Sequence, residues 1–106
     1  MDEMENFLAV LEEKELKDGT MKLVSVDGIP ILLIKQSGQI FAIDNRCPHQ
    51  GCGFSGGVLD GFVIICPCHD WRFDLKTGEY DKEPAIKLTM YDWIIKDGKI
   101  WVKLED

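Results

Sequence analysis

Tyr91-Asp92-Trp93-Ile94-Ile95-Lys96-Asp97-Gly98-Lys99-Ile100-Trp101-Val102-Lys103-Leu104 is the stretch on which the reading of the fold turns. Its two halves are rich in Ile, Val, Trp and Tyr, the residues that favour a pleated backbone. Between them stands Asp97-Gly98, a pair suited to the positive φ values that a two-residue hairpin loop demands. Ile100, Val102 and Leu104 alternate and so share one face of a strand. The stretch reads as a C-terminal β-hairpin. The same signature recurs upstream, where Asp27-Gly28, Ser37-Gly38, Asp60-Gly61 and Thr77-Gly78 punctuate short apolar runs. Strands are expected at roughly 21–26, 31–35, 39–43, 61–65, 90–96 and 99–104, with Phe7-Leu8-Ala9-Val10-Leu11 read as a further edge strand. No segment keeps a helical period, and short strands at this spacing predict an all-β fold, a small antiparallel sandwich or barrel.

A chain of 106 residues is expected to form a single domain, 1–106, and is long enough to bury a core. The composition, 45 % hydrophobic and 29 % charged with ten glycines and four prolines, is that of an ordinary globular protein. A net charge of −7 argues against nucleic acid and anionic membrane surfaces as partners. The apolar runs Ile29–Ile34 and Phe62–Cys68 fall well short of the roughly 20 residues a membrane span needs. The acidic start, Met1-Asp2-Glu3-Met4-Glu5-Asn6, lacks the basic region of a secretory signal, so a cytoplasmic location is expected.

All four cysteines and both histidines lie between Cys47 and His69, 23 of the 106 residues. They fall in two blocks, Cys47-Pro48-His49-Gln50-Gly51-Cys52 and Cys66-Pro67-Cys68-His69, joined by a glycine-rich stretch. Each block offers thiolate and imidazole, which suit borderline-soft transition metals. One metal site is implied.

Read as C-x-H, sixteen residues, then C-x-x-H, the two blocks resemble the Rieske family. The likeness extends to the proline in each block, to Gly51, to Trp71-Arg72-Phe73-Asp74, to Thr77-Gly78 and to Pro84-Ala85, and covers roughly residues 20–104. It implies one [2Fe–2S] cluster per chain, with Cys47 and Cys66 on the inner iron and His49 and His69 on the outer one. A cluster-binding subdomain over about residues 45–73 is expected within the β domain. The histidines would lie at a solvent-reachable tip, as the exit for electrons and the site of proton uptake on reduction. Cys52 and Cys68 stand where quinol-linked relatives carry a disulfide between the two cluster loops, a bond that many small soluble relatives lack. Such a bond would stabilise the unit by about 3 kcal/mol in the chain-entropy model, against the habit of cytosolic thiols to stay reduced.

Charge explains the donor set. Two ferric ions, two sulfides and two thiolates cancel when both imidazoles are neutral, so one electron enters a neutral centre. Potentials therefore lie at about −150 to +300 mV, against about −400 mV for four-cysteine plant-type ferredoxins. High-potential relatives carry Gly and Ser after the second block, then a Tyr, whose hydroxyls bond to sulfur. Here Asp70, Trp71 and Phe73 supply neither hydroxyl, which places the expected potential in the lower half of the range. Asp70 replaces the usual glycine and leaves the backbone there undetermined. Trp71 would shield the cluster or meet a partner, and Pro84 is expected in a loop folded over the cluster loops.

The resemblance implies a one-electron carrier, not an enzyme: a Rieske-type ferredoxin, expected as a monomer. Its partners would be a flavin- or NADH-dependent reductase on one side and an oxygenase or other acceptor on the other. A redox or regulatory small subunit, like that of assimilatory nitrite reductase, is the alternative. A structural zinc module ranks below both, because zinc sites usually draw on C-x₂₋₄-C and H-x₃₋₅-H pairs. Gly51-Cys52-Gly53-Phe54-Ser55-Gly56 spells a dinucleotide fingerprint, but no strand leads in and no helix follows. Trp93 and Trp101 read as packing residues of the last hairpin.

Overall fold

The computed structural model describes residues 6–48, 51–68 and 70–104. Among the described residues eleven strands run in chain order: β1 (Phe7–Glu12), β2 (Thr20–Val26), β3 (Ile29–Gln36), β4 (Gln39–Asp44), β5 (Val58–Asp60), β6 (Val63–Ile65), β7 (Arg72–Asp74), β8 (Glu79–Tyr80), β9 (Glu83–Lys87), β10 (Met90–Lys96) and β11 (Lys99–Lys103). They form two antiparallel sheets, ordered β1-β11-β10-β4-β3-β2 and β5-β6-β7-β8-β9. The first curls until its edges β1 and β2 lie side by side, a nearly closed barrel. The second is a meander inserted between β4 and β10.

Three of the expected X-Gly turns share one geometry. Asp27-Gly28, Ser37-Gly38 and Asp97-Gly98 each place both residues at positive φ, as a tight primed turn requires. Their strands pair in register on either side, Val26 with Ile29, Gln36 with Gln39 and Lys96 with Lys99. In the last hairpin Ile100 and Val102 are fully buried, and Leu104 packs on the same core. Trp93 also packs there, while the Trp101 indole N–H donates to the Lys96 carbonyl at 3.1 Å.

Strands β3 and β4 divide two cores between their faces. Ile31, Leu33, Ile40 and Ala42 point into the barrel with Leu16, Val26, Ile100 and Val102. Leu32, Ile34, Phe41 and Ile43 point the other way, onto Phe54, Ile64, Phe73 and Leu75 of the inserted part. This double burial explains why Ile31-Leu32-Leu33-Ile34 reads as an unbroken apolar run instead of an alternation. Cys47 and Cys66 belong to the second core, at its end.

The short strands β5, β7, β8 and β9 are additional to those expected from sequence. The two or three residues of β5, β7 and β8 show no usable period, and the five of β9 carry a proline and no apolar alternation, so their pairing is decided by tertiary contacts. Pro84 requires a correction: it lies in β9, the edge strand of the second sheet, and not in a loop over the cluster loops. An edge strand tolerates a residue with no N–H to donate.

Candidate metal centre

The two cysteine blocks form loops with one backbone plan. The Cys47 N–H donates to the Cys52 carbonyl at 2.9 Å, and the Cys66 N–H to the Trp71 carbonyl at 2.8 Å, five residues on in each case. Four residues after each cysteine the chain turns left-handed, at Gly51 (φ +74) and at Asp70 (φ +54). Asp70 thus adopts the left-handed conformation that Gly51 adopts in the first loop, which Asp tolerates better than most side chains. Cys47 and Cys66 are 2 % and 0 % exposed and stand outside any disulfide. Cys52 and Cys68 are bonded to each other, with their Cα atoms 6.3 Å apart, and so tie the loops together. His49 and His69 lie outside the described residues.

Each loop is seated differently. Before the first, Asp44 and Asn45 are both buried. The Asp44 carboxylate accepts hydrogen bonds from the Arg46 amide and Nε, both at 2.9 Å, from Arg46 Nη2 at 2.7 Å and from the Tyr91 hydroxyl at 3.1 Å. The Arg46 guanidinium holds the Asp44 carboxyl below its usual range despite the opposing effect of burial, and the Arg46 amide and Tyr91 hydroxyl add to the lowering. Burial, then the charge of Asp44, pushes the Tyr91 phenol upward. The Asn45 side chain accepts from the Ser55 N–H at 2.8 Å and donates to its hydroxyl at 3.3 Å.

Beneath the second loop lie aromatic rings. Trp71 stacks flat on Tyr80, with centroids 3.9 Å apart and planes at 2°. Buried Phe73 meets Phe54 edge to face at 5.5 Å. Pro84 lines a shallow hollow beside Phe73 and Tyr80. A Cβ on Gly57 would come within 2.0 Å of the Ile65 carbonyl, so the chain after the first loop crosses close above the approach to Cys66. Of the residues singled out from sequence, Cys47, Gly51, Cys52, Cys66, Cys68, Asp70 and Trp71 come together in these loops, with Phe73 below. Asp44, Asn45, Arg46, Tyr91 and Gly57 were not singled out. The one available signal was a pair of polar residues, Asp44-Asn45, closing an apolar strand just before Cys47.

The description Rieske [2Fe-2S] domain matches residues 6–92. A chain in the structure titled complex of reduced oxygenase and oxidized ferredoxin in carbazole 1,9a-dioxygenase superposes with a TM-score of 0.85 at 29 % identity, covering 95 % of both chains. The ferredoxin component of the naphthalene 1,2-dioxygenase/salicylate 5-hydroxylase systems of Ralstonia sp is 35 % identical over 86 % of this chain and 88 % of its own length. Apoptosis-inducing factor 3 of Homo sapiens is 31 % identical over 90 % of this chain, which spans only 16 % of that protein's length. The chain belongs to the Rieske [2Fe–2S] domain family, and its cofactor is a [2Fe–2S] cluster. Two buried thiols on matching, cross-linked loops fit such a group, since thiolate sulfur is the ligand iron–sulfur clusters prefer.

Proposed function

We propose that this protein is a one-electron carrier that takes electrons from a flavin- or NADH-dependent reductase and delivers them to an oxygenase or a comparable acceptor. One observation carries the reading: Cys47 and Cys66 occupy equivalent positions in two loops of the same backbone plan, joined by Cys52–Cys68. The ferredoxin component from Ralstonia and the ferredoxin–oxygenase complex named above supply the partner classes.

Cys47 and Cys66 would hold one iron, and His49 and His69 the other. When bound, the cluster supplies a one-electron couple at the potential its ligands set. The protein's own residues do the rest. Burial of Cys47 and Cys66 keeps water from the inner side, the cross-linked loops resist rearrangement when charge changes, and the histidines would face the acceptor and take the proton. Phe73 is fully buried and, like Trp71, brings no hydroxyl to sulfur, which supports a potential in the lower half of the Rieske range. A surface of net charge −7 favours basic docking faces and disfavours nucleic acid.

The chain would act as one monomeric domain, 1–106, with the cluster-binding unit over about residues 45–73. No helix among the described residues is long and apolar enough to cross a membrane. Cytoplasm is the proposed site of action, where Cys52–Cys68 would have to resist the thiol pool.

The test is an EPR spectrum before and after dithionite, with iron, zinc and acid-labile sulfide assayed on the same sample. A rhombic one-electron signal on reduction, with about two iron atoms per chain, is the expected result. A colourless, EPR-silent protein with zinc would overturn it.

A further inference from the structure

Among the described residues the buried polar side chains are two neighbours, Asp44 and Asn45, each 7 % exposed. Burying such groups is costly unless every bond is made, so their partners show what their burial accomplishes. They stand at the exit of β4, three and two residues before Cys47. Asp44 grips the outgoing limb of the first loop through the amide and guanidinium of Arg46. Asn45 grips the returning limb through Ser55, and its carbonyl accepts from the Phe54 N–H at 3.0 Å.

Both residues are in turn fastened to the barrel. The Asn45 N–H donates to the Pro30 carbonyl at 2.8 Å, the Asp44 N–H to the Thr89 carbonyl at 2.9 Å, and Tyr91 of β10 reaches the Asp44 carboxylate. The fit is close, since a Cβ on Gly53 would lie 2.9 Å from Asn45 Nδ2. Two apolar residues here would satisfy the strand and often stabilise as well. They could not hold two limbs of a loop at set distances.

We propose that Asp44 and Asn45 are positioning residues, the mount on which the first loop is built, and that they set the placement of the Cys47 sulfur and thereby the retention and potential of the cluster. The inference rests on the carrier reading and adds residues outside the ligand set. Groups that orient metal ligands in this way typically change metal affinity or activity 10–100-fold when removed. Tyr91 acts at one further remove, through Asp44.

The experiment compares holo wild type with Asn45→Ala, Tyr91→Phe and, as a control for lost stability alone, Val102→Ala in the barrel core. Four quantities are read: the half-life of the cluster against an iron chelator, the EPR g-values, the midpoint potential and the melting temperature. Asn45→Ala is expected to shorten the half-life roughly 10–100-fold and to move g-values and potential together. Tyr91→Phe is expected to shift the same quantities less, and it decides the matter alone if Asn45→Ala does not fold. Val102→Ala should lower the melting temperature with spectrum and potential unchanged. Wild-type values in both mount variants, or the same spectral shift in Val102→Ala, would overturn the inference and leave the carrier reading intact. A wild-type protein with no reducible cluster would overturn both.

Discussion

The loop from Cys47 to Cys52 rests on buried polar groups, whereas the loop from Cys66 to Trp71 rests on aromatic rings, yet both close with the same hydrogen bond from the cysteine N–H. Each also turns left-handed four residues after its cysteine, at Gly51 in one case and at Asp70 in the other. Two kinds of support therefore produce one backbone. A polar seat fixes distances through directional bonds, while an aromatic seat fixes them by filling space. The disulfide Cys52–Cys68 joins a loop of each kind.

The largest expected effect comes from breaking the aromatic seat. Phe73→Ala removes a fully buried ring that Phe54, Trp71 and Tyr80 all touch, and should cost about 3–5 kcal/mol in denaturant unfolding. Against a total of roughly 5–15 kcal/mol for a typical domain, that would leave the inserted sheet close to unfolding. Separating the loops comes next. The double variant Cys52→Ser, Cys68→Ser should lose about 3 kcal/mol by the chain-entropy argument, and a phosphine reductant added to wild type should reproduce the loss.

Gly57→Ala probes where the two loops cross. Its Cβ would meet the Ile65 carbonyl at 2.0 Å, so backbone next to Cys66 must yield, at about 1–3 kcal/mol by the same assay. Acid should act on the polar seat first. The Asp44 carboxyl is held below its ordinary value of 3.8, so its contribution is complete above that pH and is lost as pH falls through the lower folded value. Tyr91 has the opposite sign: with its phenol raised above 10.0, it contributes below that pH and is lost as pH climbs through the folded value. The protection factor of the Arg46 amide, which donates to the Asp44 carboxylate, followed from neutral pH toward pH 3 and corrected for the slower intrinsic exchange in acid, should fall before the protection factors in β11.

The smallest effect sharpens the likeness between the loops. Asp70→Gly restores to the second loop the residue type of the first. Relief of left-handed strain, about 1 kcal/mol at most for Asp, is offset by the extra chain entropy of glycine, so stability should move by less than about 0.5 kcal/mol. The midpoint potential should rise, because a carboxylate no longer opposes the added electron.

Legibility followed the range of the interactions. Hairpin turns such as Asp97-Gly98 were readable because two residues carry the whole signal, and strands β2, β3, β4, β10 and β11 were readable because each has at least five residues of suitable type. Strands of two or three residues, β7 and β8 among them, have no such period. Pro84 was misplaced for a different reason: its five-residue segment Glu83–Lys87 carries a proline and no apolar alternation, and only pairing across to β8 makes it a strand. The cysteine loops could be located from spacing alone. Their supports could not, because Asp44 and Tyr91 are 47 residues apart and Trp71 reaches Tyr80 only after β7 and β8 pair.

By itself the sequence determined the all-β class, the primed turns, the family likeness and the donor types, all of which are written in contiguous residues or fixed spacings. Tertiary structure alone decided that β3 and β4 serve two cores, that Asp70 turns like Gly51, that Cys52 meets Cys68, and that one loop is seated on polar groups and the other on rings. The physical reason is that a buried carboxylate, amide or ring has its orientation set by partners distant in the chain, and one residue type is compatible with many such partners until packing selects among them.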